Sequence, residues 1–412
     1  MKKLFVIGQV WPEPTTTAAG NRMLQLLEAF LAKGYQITFA STSSKTKYSH
    51  DLLSMGIDET PILLNDSSFD VFVRQLNPNI VLFDRFMVEE QFGWRVAENC
   101  SKAVRILNTE DLHSLREHRE KCVKNNLVFR HSEFLQQDRT KREVASIYRC
   151  DLTLLVSSFE KKLLENEIGV HKSLLWHLPF MLENIQEKTK NKWPKFEKRN
   201  GFIAFGNGRH APNIDAFVEL KRTIWPLVRK ELPKAELNVY GAYLPQRIIE
   251  MHNPKKGFLV HGWIPDINEK VQRSKVVLAP LRFGAGIKGK LTKAMQNGTP
   301  SVTSKVGMEG MTKQQWPGKI ADDPNEIAQY AIELYLDPEK WLQAQHKGIS
   351  IINSEYPKEA LSKSLFHHLE SLYLGLKEHR NRNFIGSLLL YESMSATKYM
   401  GKWIEEKNKS RK

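Results

Sequence analysis

The stretch that decides the fold is Pro280-Leu-Arg-Phe-Gly-Ala-Gly-Ile-Lys-Gly-Lys-Leu-Thr-Lys-Ala-Met-Gln-Asn-Gly-Thr-Pro300. An apolar strand, Val276–Ala279, is predicted before it, and a second strand, residues 301–306, is predicted after it. A glycine-rich basic loop, a short helix and a tight turn lie between the two strands. This order of strand, loop, helix and strand is typical of a parallel α/β sheet.

The glycine-rich loop combines three features that favour a bound anion. Gly284, Gly286 and Gly289 let backbone N–H groups turn toward a ligand without a Cβ in the way. Arg282 and Lys288 add positive charge just before the N-terminus of the short helix, where the helix dipole already attracts anions. The loop is therefore predicted to hold a diphosphate, such as that of a nucleotide.

The composition is that of a folded protein with more than one domain. The chain has 412 residues, of which 41% are hydrophobic and 26% charged. Its 61 Lys and Arg against 46 Asp and Glu give a net charge of +15, which favours a nucleotide, an anionic lipid or a nucleic acid as partner. The three cysteines are far apart and suggest neither disulfides nor a metal site, so we expect a cytoplasmic protein. No apolar run approaches the roughly 18 residues of a membrane span.

Strand-like and helix-like segments alternate twice along the chain. Most of the strands are apolar on both faces, as parallel strands are, and helical spacing predicts a helix that ends at Gly34. The strands predicted in the first half are Lys3–Gly8, Gln36–Ser41, Ile80–Asp84, Val104–Asn108 and residues 152–157. Those predicted in the second half are Phe202–Phe205, Leu237–Tyr240, residues 258–260, Val276–Ala279 and residues 301–306, with helices over residues 214–228 and 290–296.

A polar, lysine-rich stretch without apolar periodicity separates the two halves. The predicted organisation is a first domain over residues 1–182, a linker over 183–200, a second domain over 201–355 and C-terminal helices over 356–412 that pack back on the first domain. Both domains are predicted to be doubly wound α/β domains that face a cleft, because ligands of such sheets bind at the carboxyl ends of the strands.

The final segment has an amphipathic pattern. Its apolar residues lie near one helical face, which could dock on the body of the protein, on a partner or on a membrane. These residues are Ile385, Leu388, Leu389, Ala396, Tyr399, Met400 and Trp403.

Three further motifs accompany the glycine loop: Phe205-Gly-Asn-Gly-Arg-His-Ala-Pro-Asn-Ile-Asp-Ala216, Trp225-Pro-Leu-Val-Arg229 and His261-Gly-Trp-Ile-Pro-Asp266. Together with residues 280–310 they resemble the family 4 glycosyltransferases of the GT-B fold. The likeness extends over residues 1–375 and is looser in the first half, where Asp111-Leu-His-Ser-Leu-Arg116 follows a strand. It implies two Rossmann-like domains and a retaining, metal-independent transferase that uses a nucleotide-sugar as co-substrate and no cofactor.

The resemblance also implies a donor diphosphate site in the second domain. Arg282 and Lys288 match the family's phosphate-binding positions, Arg209 is a third candidate, and Gly286 supplies backbone geometry to the same site. Gly20 begins a helix at the cleft, so its N–H could meet the diphosphate from the opposite side. For each of these residues, an ordinary surface or turn role is the alternative, and for Gly20 that role is a turn capped by threonine.

The nucleotide itself is expected near Gly262 and Trp263, where the tryptophan either stacks on the base or belongs to the core. Family members usually carry two acidic residues eight positions apart, and the second of them binds the ribose. In this chain the two positions are Ala285 and Lys293, and a lysine cannot accept a hydrogen bond. Either another residue, such as Glu309, supplies the acceptor, or the donor is held differently, or activity is weakened or lost.

The first domain is expected to hold the acceptor. His113 and Asp111 are the candidate catalytic residues. His113 is predicted to hydrogen-bond to the transferring sugar, and Asp111 either orients it, acts directly on a hydroxyl, or caps the helix that follows. The expected acceptor is a glycan or a lipid-linked glycan in bacterial cell-surface polysaccharide synthesis, made at a cytoplasmic, anionic membrane face. The alternatives are a degenerate GT-B scaffold and a basic nucleic-acid-binding protein. Specific nucleic acid binding is not expected, because the sequence has no helix-turn-helix, zinc or RNA-binding motif.

Overall fold

The computed structural model describes residues 2–409, with the backbone alone for residues 393–395. Two parallel sheets, one of seven strands and one of six, form the cores of two domains. The strands of the first sheet are β1 (Lys3–Gly8), β2 (Gln36–Ser41), β3 (Asp58–Pro61), β4 (Ile80–Asp84), β5 (Val104–Asn108), β6 (Leu152–Leu155) and β7 (Leu175–His177). The strands of the second sheet are β8 (Phe202–Phe205), β9 (Leu237–Tyr240), β10 (Phe258–Gly262), β11 (Val276–Ala279), β12 (Ser301–Thr303) and β13 (Gly318–Ile320).

Helices pack on both faces of each sheet. In β1, Phe5 and Ile7 belong to one core cluster and Leu4 and Val6 to another, so alternate side chains enter the two opposite layers. The helices of the first domain are α1 (Ala18–Ala32), α2 (Ser68–Leu76), α3 (Phe86–Asn99), α4 (His113–Lys124), α5 (His131–Gln136), α6 (Asp138–Arg149) and α7 (Ser158–Leu163). Those that follow are α8 (Glu187–Lys190), α9 (Ala211–Glu219), α10 (Trp225–Glu231), α11 (Gln246–Ile249), α12 (Asn268–Arg273), α13 (Gly289–Gln296), α14 (Lys305–Met308), α15 (Pro324–Leu336), α16 (Pro338–Glu355), α17 (Lys358–Leu374), α18 (Leu376–Arg382) and α19 (Phe384–Lys409).

Both sheets have the same doubly wound strand order. The first runs β3-β2-β1-β4-β5-β6-β7, and the second runs β10-β9-β8-β11-β12-β13. The direction of winding reverses between β1 and β4 in one sheet and between β8 and β11 in the other. Ligands of such sheets bind beyond the carboxyl ends of the strands at this point. The predicted fold class, α/β with two Rossmann-like domains, is confirmed.

The differences from the predicted strands lie at sheet edges and strand ends. The edge strands β3, β7 and β13 are not predicted, because β3 is polar and the other two have only three residues each. The strand predicted over 152–157 ends at Leu155, since Ser157 accepts a hydrogen bond from the N–H of Glu160 and caps α7. The strand predicted over 301–306 ends at Thr303, since Ser304 caps α14 in the same way.

The segment predicted as a linker, residues 183–200, packs on the second domain. It contains α8, and its Trp193 is 8% exposed and lies against Gly298. Gly298 has a φ of +61°, and a Cβ there would come within 2.4 Å of the Trp193 ring. Arg199 is buried and donates to the hydroxyl of Thr299 at 2.7 Å. The absence of apolar periodicity therefore did not mean an absence of packing.

The chain returns to the first domain through α17, α18 and α19. The Phe366 ring of α17 packs edge-on against Phe30 of α1 at 4.9 Å. Arg380 of α18 donates to both carboxylate oxygens of Asp151 at 2.7 Å, and α19 runs along α3 and α6. Residues 410–412 of the predicted C-terminal segment lie outside the described residues.

The apolar face predicted for the last helix does not dock on the body of the protein. Leu389 is partly buried, but Ile385 and Leu388 are about half exposed, and the other four predicted residues, Ala396, Tyr399, Met400 and Trp403, are exposed. The opposite side of α19 faces α3 and α6. The interpretation that this apolar face packs against the body of the protein is therefore wrong.

Replacing Arg380 with alanine is expected to lower the free energy of unfolding of the first domain by about 2–3 kcal/mol, because the buried Asp151 loses its two hydrogen bonds from Arg380 and keeps the one from the N–H of Arg105. Arg382→Ala is the matched control, since its pair with Glu378 is exposed and such pairs contribute little. Urea unfolding of both variants measures the difference. An equal, small effect for the two variants would contradict this account.

Candidate active site

The glycine loop of the second domain touches the first domain at the centre of the cleft. The N–H of Gly286 donates to Glu160 Oε1 at 2.7 Å, and the N–H of Leu112 donates to the same oxygen at 3.0 Å. Gly286 has a φ of +63°, and a Cβ there would lie 2.9 Å from the Cβ of Asp111. Only glycine fits both this backbone conformation and this close approach.

Asp111 and His113 lie together on the first-domain side, where β5 leads into α4. The Asp111 carboxylate accepts from Arg116, and its Oδ1 lies 3.2 Å from His113 Nδ1. Burial raises the pKa of Asp111, but Arg116 and His113 outweigh it and hold that pKa well below its usual range. Asp111 is therefore a carboxylate at neutral pH.

The N-terminus of α4 is capped by other residues than Asp111. The N–H groups of His113 and Ser114 each donate to the Glu143 carboxylate at 3.0 Å, and that of Leu112 donates to Glu160. The alternative that Asp111 is the helix cap is wrong, and its carboxylate is available to orient His113 and Arg116.

His113 is neutral at physiological pH. Burial lowers its pKa to about 4, with Asp111 opposing the shift. Its Nδ1 lies 3.1 Å from the Asp111 carbonyl oxygen and 3.2 Å from the carboxylate, so we assign the ring proton to Nδ1. Nε2 is then free of a proton and can accept a hydrogen bond from a hydroxyl in the cleft.

Two lysines stand on the second-domain side, at the start of α13. Lys288 is 7% exposed, and its Nζ donates to the Gly286 carbonyl at 2.8 Å. Burial lowers its pKa to about 8, although Glu309 and Glu160 raise it. Lys290 Nζ donates to Asn213 Oδ1 at 2.7 Å, and burial together with Lys288 lowers its pKa to about 7. A bound anion would stabilise the charge of both lysines.

The other predicted phosphate ligands are engaged elsewhere. Arg282 forms a two-pronged ion pair with Asp215 on α9, and half of its side chain is exposed. The guanidinium of Arg209 lies 3.7 Å from the centroid of the Tyr243 ring. The Gly20 N–H donates to Thr17 Oγ1 at 2.9 Å. Gly20 therefore forms the threonine-capped turn that the sequence left as the alternative, and it offers no free N–H.

Gly262 is the last residue of β10, and Trp263 follows it. Trp263 is 36% exposed, and its ring lies 4.9 Å from that of Tyr48 in the first domain. The alternative of a core tryptophan is therefore wrong. Gly262 has a φ of +78°, and a Cβ there would have no neighbour within 4 Å. The two residues border the cleft on its second-domain side.

Two residues were considered for ribose binding, Lys293 and Glu309. Lys293 has no carboxylate, and the carboxylate of Glu309 is already hydrogen-bonded. Lys293 Nζ donates to Asn268 Oδ1 at 3.3 Å, and burial lowers its pKa while Asp266 opposes the shift. Glu309 is held across the cleft by Arg119, whose guanidinium donates to its two oxygens at 2.7 and 3.0 Å. Each Glu309 oxygen thus accepts one hydrogen bond from Arg119 in this arrangement, and Glu309 as the replacement for the missing carboxylate stays a prediction.

Several residues of the cluster carry no clear signal in the sequence. Glu160 follows Ser157 by three positions, a spacing typical of a helix-capping box, yet its carboxylate reaches the other domain. Lys290 is different, because its place two residues after Lys288, on the first turn of α13, could have been recognised in the sequence as part of the same basic loop. Arg119 looks like an ordinary helix-surface residue, and only the docking of the domains shows its role.

The candidate residues lie in a closed contact between the domains. A crevice of about 590 Å³ opens between the domains and is lined by Ser158, Lys161, His177, Lys313 and Tyr356, among others. A smaller one, of about 240 Å³, lies beyond β1 and β2 in the first domain. His113 and Lys288 line neither of them. Because His113 is 9% and Lys288 7% exposed, a ligand would reach both of them only if the domains moved apart.

Comparison with known proteins agrees with this architecture. Residues 200–337, from the start of the second domain to the end of α15, match the family model described as Glycosyl transferases group 1. No curated protein sequence matches the chain. Within residues 2–409, no group of three or more His, Cys, Asp or Glu side chains is arranged to hold a metal ion.

Solved structures similar to this chain span nearly all of it. Sucrose-phosphate synthase from Thermosynechococcus elongatus has a TM-score of 0.68 at 14% identity, over 91% of this chain and 100% of that one. Anabaena HepE in complex with UDP and glucose has a TM-score of 0.67 at 12% identity, over 90% of this chain and 100% of that one. A glycosyltransferase from Rickettsia africae has a TM-score of 0.64 at 10% identity, over 90% of this chain and 99% of that one. At these identities the likeness establishes the fold, which is GT-B.

Replacing Gly286 with alanine is expected to destabilise the contact between the domains by about 1–3 kcal/mol, because the new Cβ meets Asp111 at a positive φ. Gly284→Ala is the matched control, since a Cβ there would meet only ordinary contacts of 3.6 Å or more. Thermal unfolding and small-angle scattering of the two variants measure stability and domain opening. Equal stability of the two variants would show that the contact is not formed in solution.

Proposed function

We propose that the protein is a glycosyltransferase that moves a sugar from a nucleotide diphosphate sugar to a hydroxyl of a glycan or lipid-linked acceptor. One observation carries the proposal: the glycine loop with Lys288 meets Asp111 and His113 across the cleft. The match of the second domain to the glycosyl transferases group 1 model supports it. The resemblance to family 4 adds a retaining reaction without a metal ion.

The second domain is proposed to bind the donor diphosphate. Lys288, Lys290 and the N–H of Gly286 would donate hydrogen bonds to its oxygens. The Gly286 N–H would first have to leave Glu160. Charge builds on this diphosphate as the bond to the sugar breaks, and positioned cations and N–H donors stabilise that charge. The nucleotide would extend toward Gly262 and Trp263, with the base against the exposed tryptophan ring.

The first domain is proposed to position the sugar and the acceptor. His113 Nε2 accepts a hydrogen bond from a hydroxyl of the transferring sugar, and Asp111 holds the ring in the orientation that leaves Nε2 unprotonated. The bond between the anomeric carbon and the diphosphate breaks while the acceptor oxygen bonds to that carbon on the same face. The departing diphosphate oxygen takes the acceptor proton, so no protein nucleophile is required.

The acceptor is proposed to bind over the first domain, near the small crevice beyond β1 and β2. Its polar lining, which includes Gln9, Thr42, Ser43 and Gln91, suits a carbohydrate. We further propose a role in bacterial cell-surface polysaccharide synthesis, with the enzyme in the cytoplasm and peripheral at the inner membrane face. The net charge of +15 supports contact with an anionic surface.

Replacing Lys288 with alanine is expected to lower the transfer rate by about 10²–10³-fold, the size of effect seen when one stabilising group is lost. Lys305→Ala is the matched control, because that side chain is 82% exposed. A panel of nucleotide sugars first identifies the donor by calorimetry and thermal shift, and transfer is then measured for both variants. Unchanged transfer kinetics in Lys288→Ala would contradict the phosphate assignment.

The same panel separates the alternatives. The absence of heat and thermal shift with every donor would favour a degenerate scaffold, to which Lys293 at the ribose position also points. Steeply salt-dependent binding of DNA or RNA without donor binding would favour a nucleic-acid-binding protein.

The affinity for the donor is expected to fall as pH rises. The pKa values of about 7 for Lys290 and about 8 for Lys288 mean that the free protein loses these protons between pH 6.5 and 8.5 and must regain them to bind the diphosphate. The dissociation constant of a nucleotide sugar should therefore rise about 10–100-fold over this range. Lys290→Gln should flatten the profile. A flat profile in the unaltered protein would contradict the assignment.

A further inference from the structure

The last helix, α19, has its apolar side turned to solvent. Phe384 is 73% exposed, Tyr399 68%, Met400 65% and Trp403 62%. Ile385 and Leu388 are half exposed on the same side. A helix on the surface of a globular protein normally turns this side to the core. In this structure these side chains keep about half or more of their surface exposed to solvent.

The opposite side of α19 explains why the helix is oriented in this way. It packs through glycines and ion pairs: a Cβ on Gly386 would lie 2.2 Å from the Tyr148 carbonyl, and one on Gly401 would lie 3.1 Å from Asn65 Oδ1. Lys398 pairs with Glu98, and Glu405 lies 3.6 Å from Arg95. The inward side is therefore fitted to the first domain by small and charged residues, and the apolar side is left for another surface.

We propose that the outward side of α19 lies in the surface of an anionic lipid bilayer. From Phe384 to Trp403 the helix is ~28 Å long, and rings that carry a polar edge, such as those of Tyr and Trp, favour the membrane interface. No helix among residues 2–409 is long and apolar enough to cross a membrane, so α19 would lie flat. This proposal specifies the membrane contact named in the proposed function.

Charge identifies the kind of surface. Residues 376–412 contain nine Lys or Arg against four Glu. Two glutamates, Glu392 and Glu406, are exposed with the apolar side chains, and Lys409 is paired with Glu406. Attraction to anionic lipid therefore comes from other exposed basic residues, such as Lys377 and Lys402, and from the net charge of +15. A second protein chain would need no such excess of positive charge. An anionic lipid surface fits both the charge and the aromatic residues.

The test is flotation with vesicles of phosphatidylcholine alone or with 30% phosphatidylglycerol. The full chain is expected to float with the anionic vesicles, and the variant Leu388→Ser/Tyr399→Ser/Trp403→Ser should lose at least tenfold in partition coefficient. Leu53→Ser/Val128→Ser/Leu336→Ser is the matched control, because these exposed side chains lie elsewhere and should leave binding unchanged. Quenching of Trp403 by brominated lipid, with Trp403→Phe as reference, reports contact of this face directly.

Equal flotation of the three proteins, or no flotation of any, would overturn the proposal. A concentration-dependent dimer that the α19 variant abolishes, without vesicle binding, would replace the membrane by a second copy of the chain. Circular dichroism checks that the variants fold. Donor binding measured on the same variants should not change, so a failure of this proposal is distinguishable from a failure of the proposed transferase activity.

Discussion

One side-chain oxygen of Glu160 contacts both domains at the centre of the cleft. Glu160 Oε1 accepts N–H groups from Leu112 of the first domain and from Gly286 of the second. Burial and the neighbouring Asp111 raise the pKa of Glu160 to about 8, so the group is largely protonated at neutral pH. This contact brings the glycine loop against the residue that precedes α4.

The charges around this contact show how a closed cleft can accept an anion. Lys288 and Lys290 have lowered pKa values, and Glu160 has a raised one, because burial penalises each charged form. Near neutral pH the cluster therefore carries less charge than its residues suggest. A diphosphate that replaced Glu160 at the Gly286 N–H would stabilise the charged form of both lysines, and Lys290 would gain the larger share of a proton at neutral pH. The proposed donor site thus couples ligand binding to proton uptake and to domain movement.

Most of the fold could be predicted from the sequence, and the site only in part. Central strands are continuous apolar runs, whereas the edge strands β3, β7 and β13 are polar or short and leave no such pattern. Lys288 was predicted because it stands in a basic glycine-rich loop before a helix, and His113 because it lies in the segment after β5, at the strand end where ligands bind. Glu160 and Arg119 lie on helices, where a charged residue is usually solvated, and only the docking of two domains buries them. The outward turn of α19 was not predictable either, because periodicity gives an apolar face but not its direction.

The central claim is that the glycine loop recognises a diphosphate, and it is tested most directly by calorimetric titration with UDP, GDP and ADP, each beside its own nucleoside. The account predicts that at least one diphosphate binds 100-fold or more tightly than its nucleoside, since the lysines and the Gly286 N–H act on phosphate oxygens while Lys293 stands at the ribose position. Equal affinity of nucleoside and nucleoside diphosphate, for every base, would contradict it.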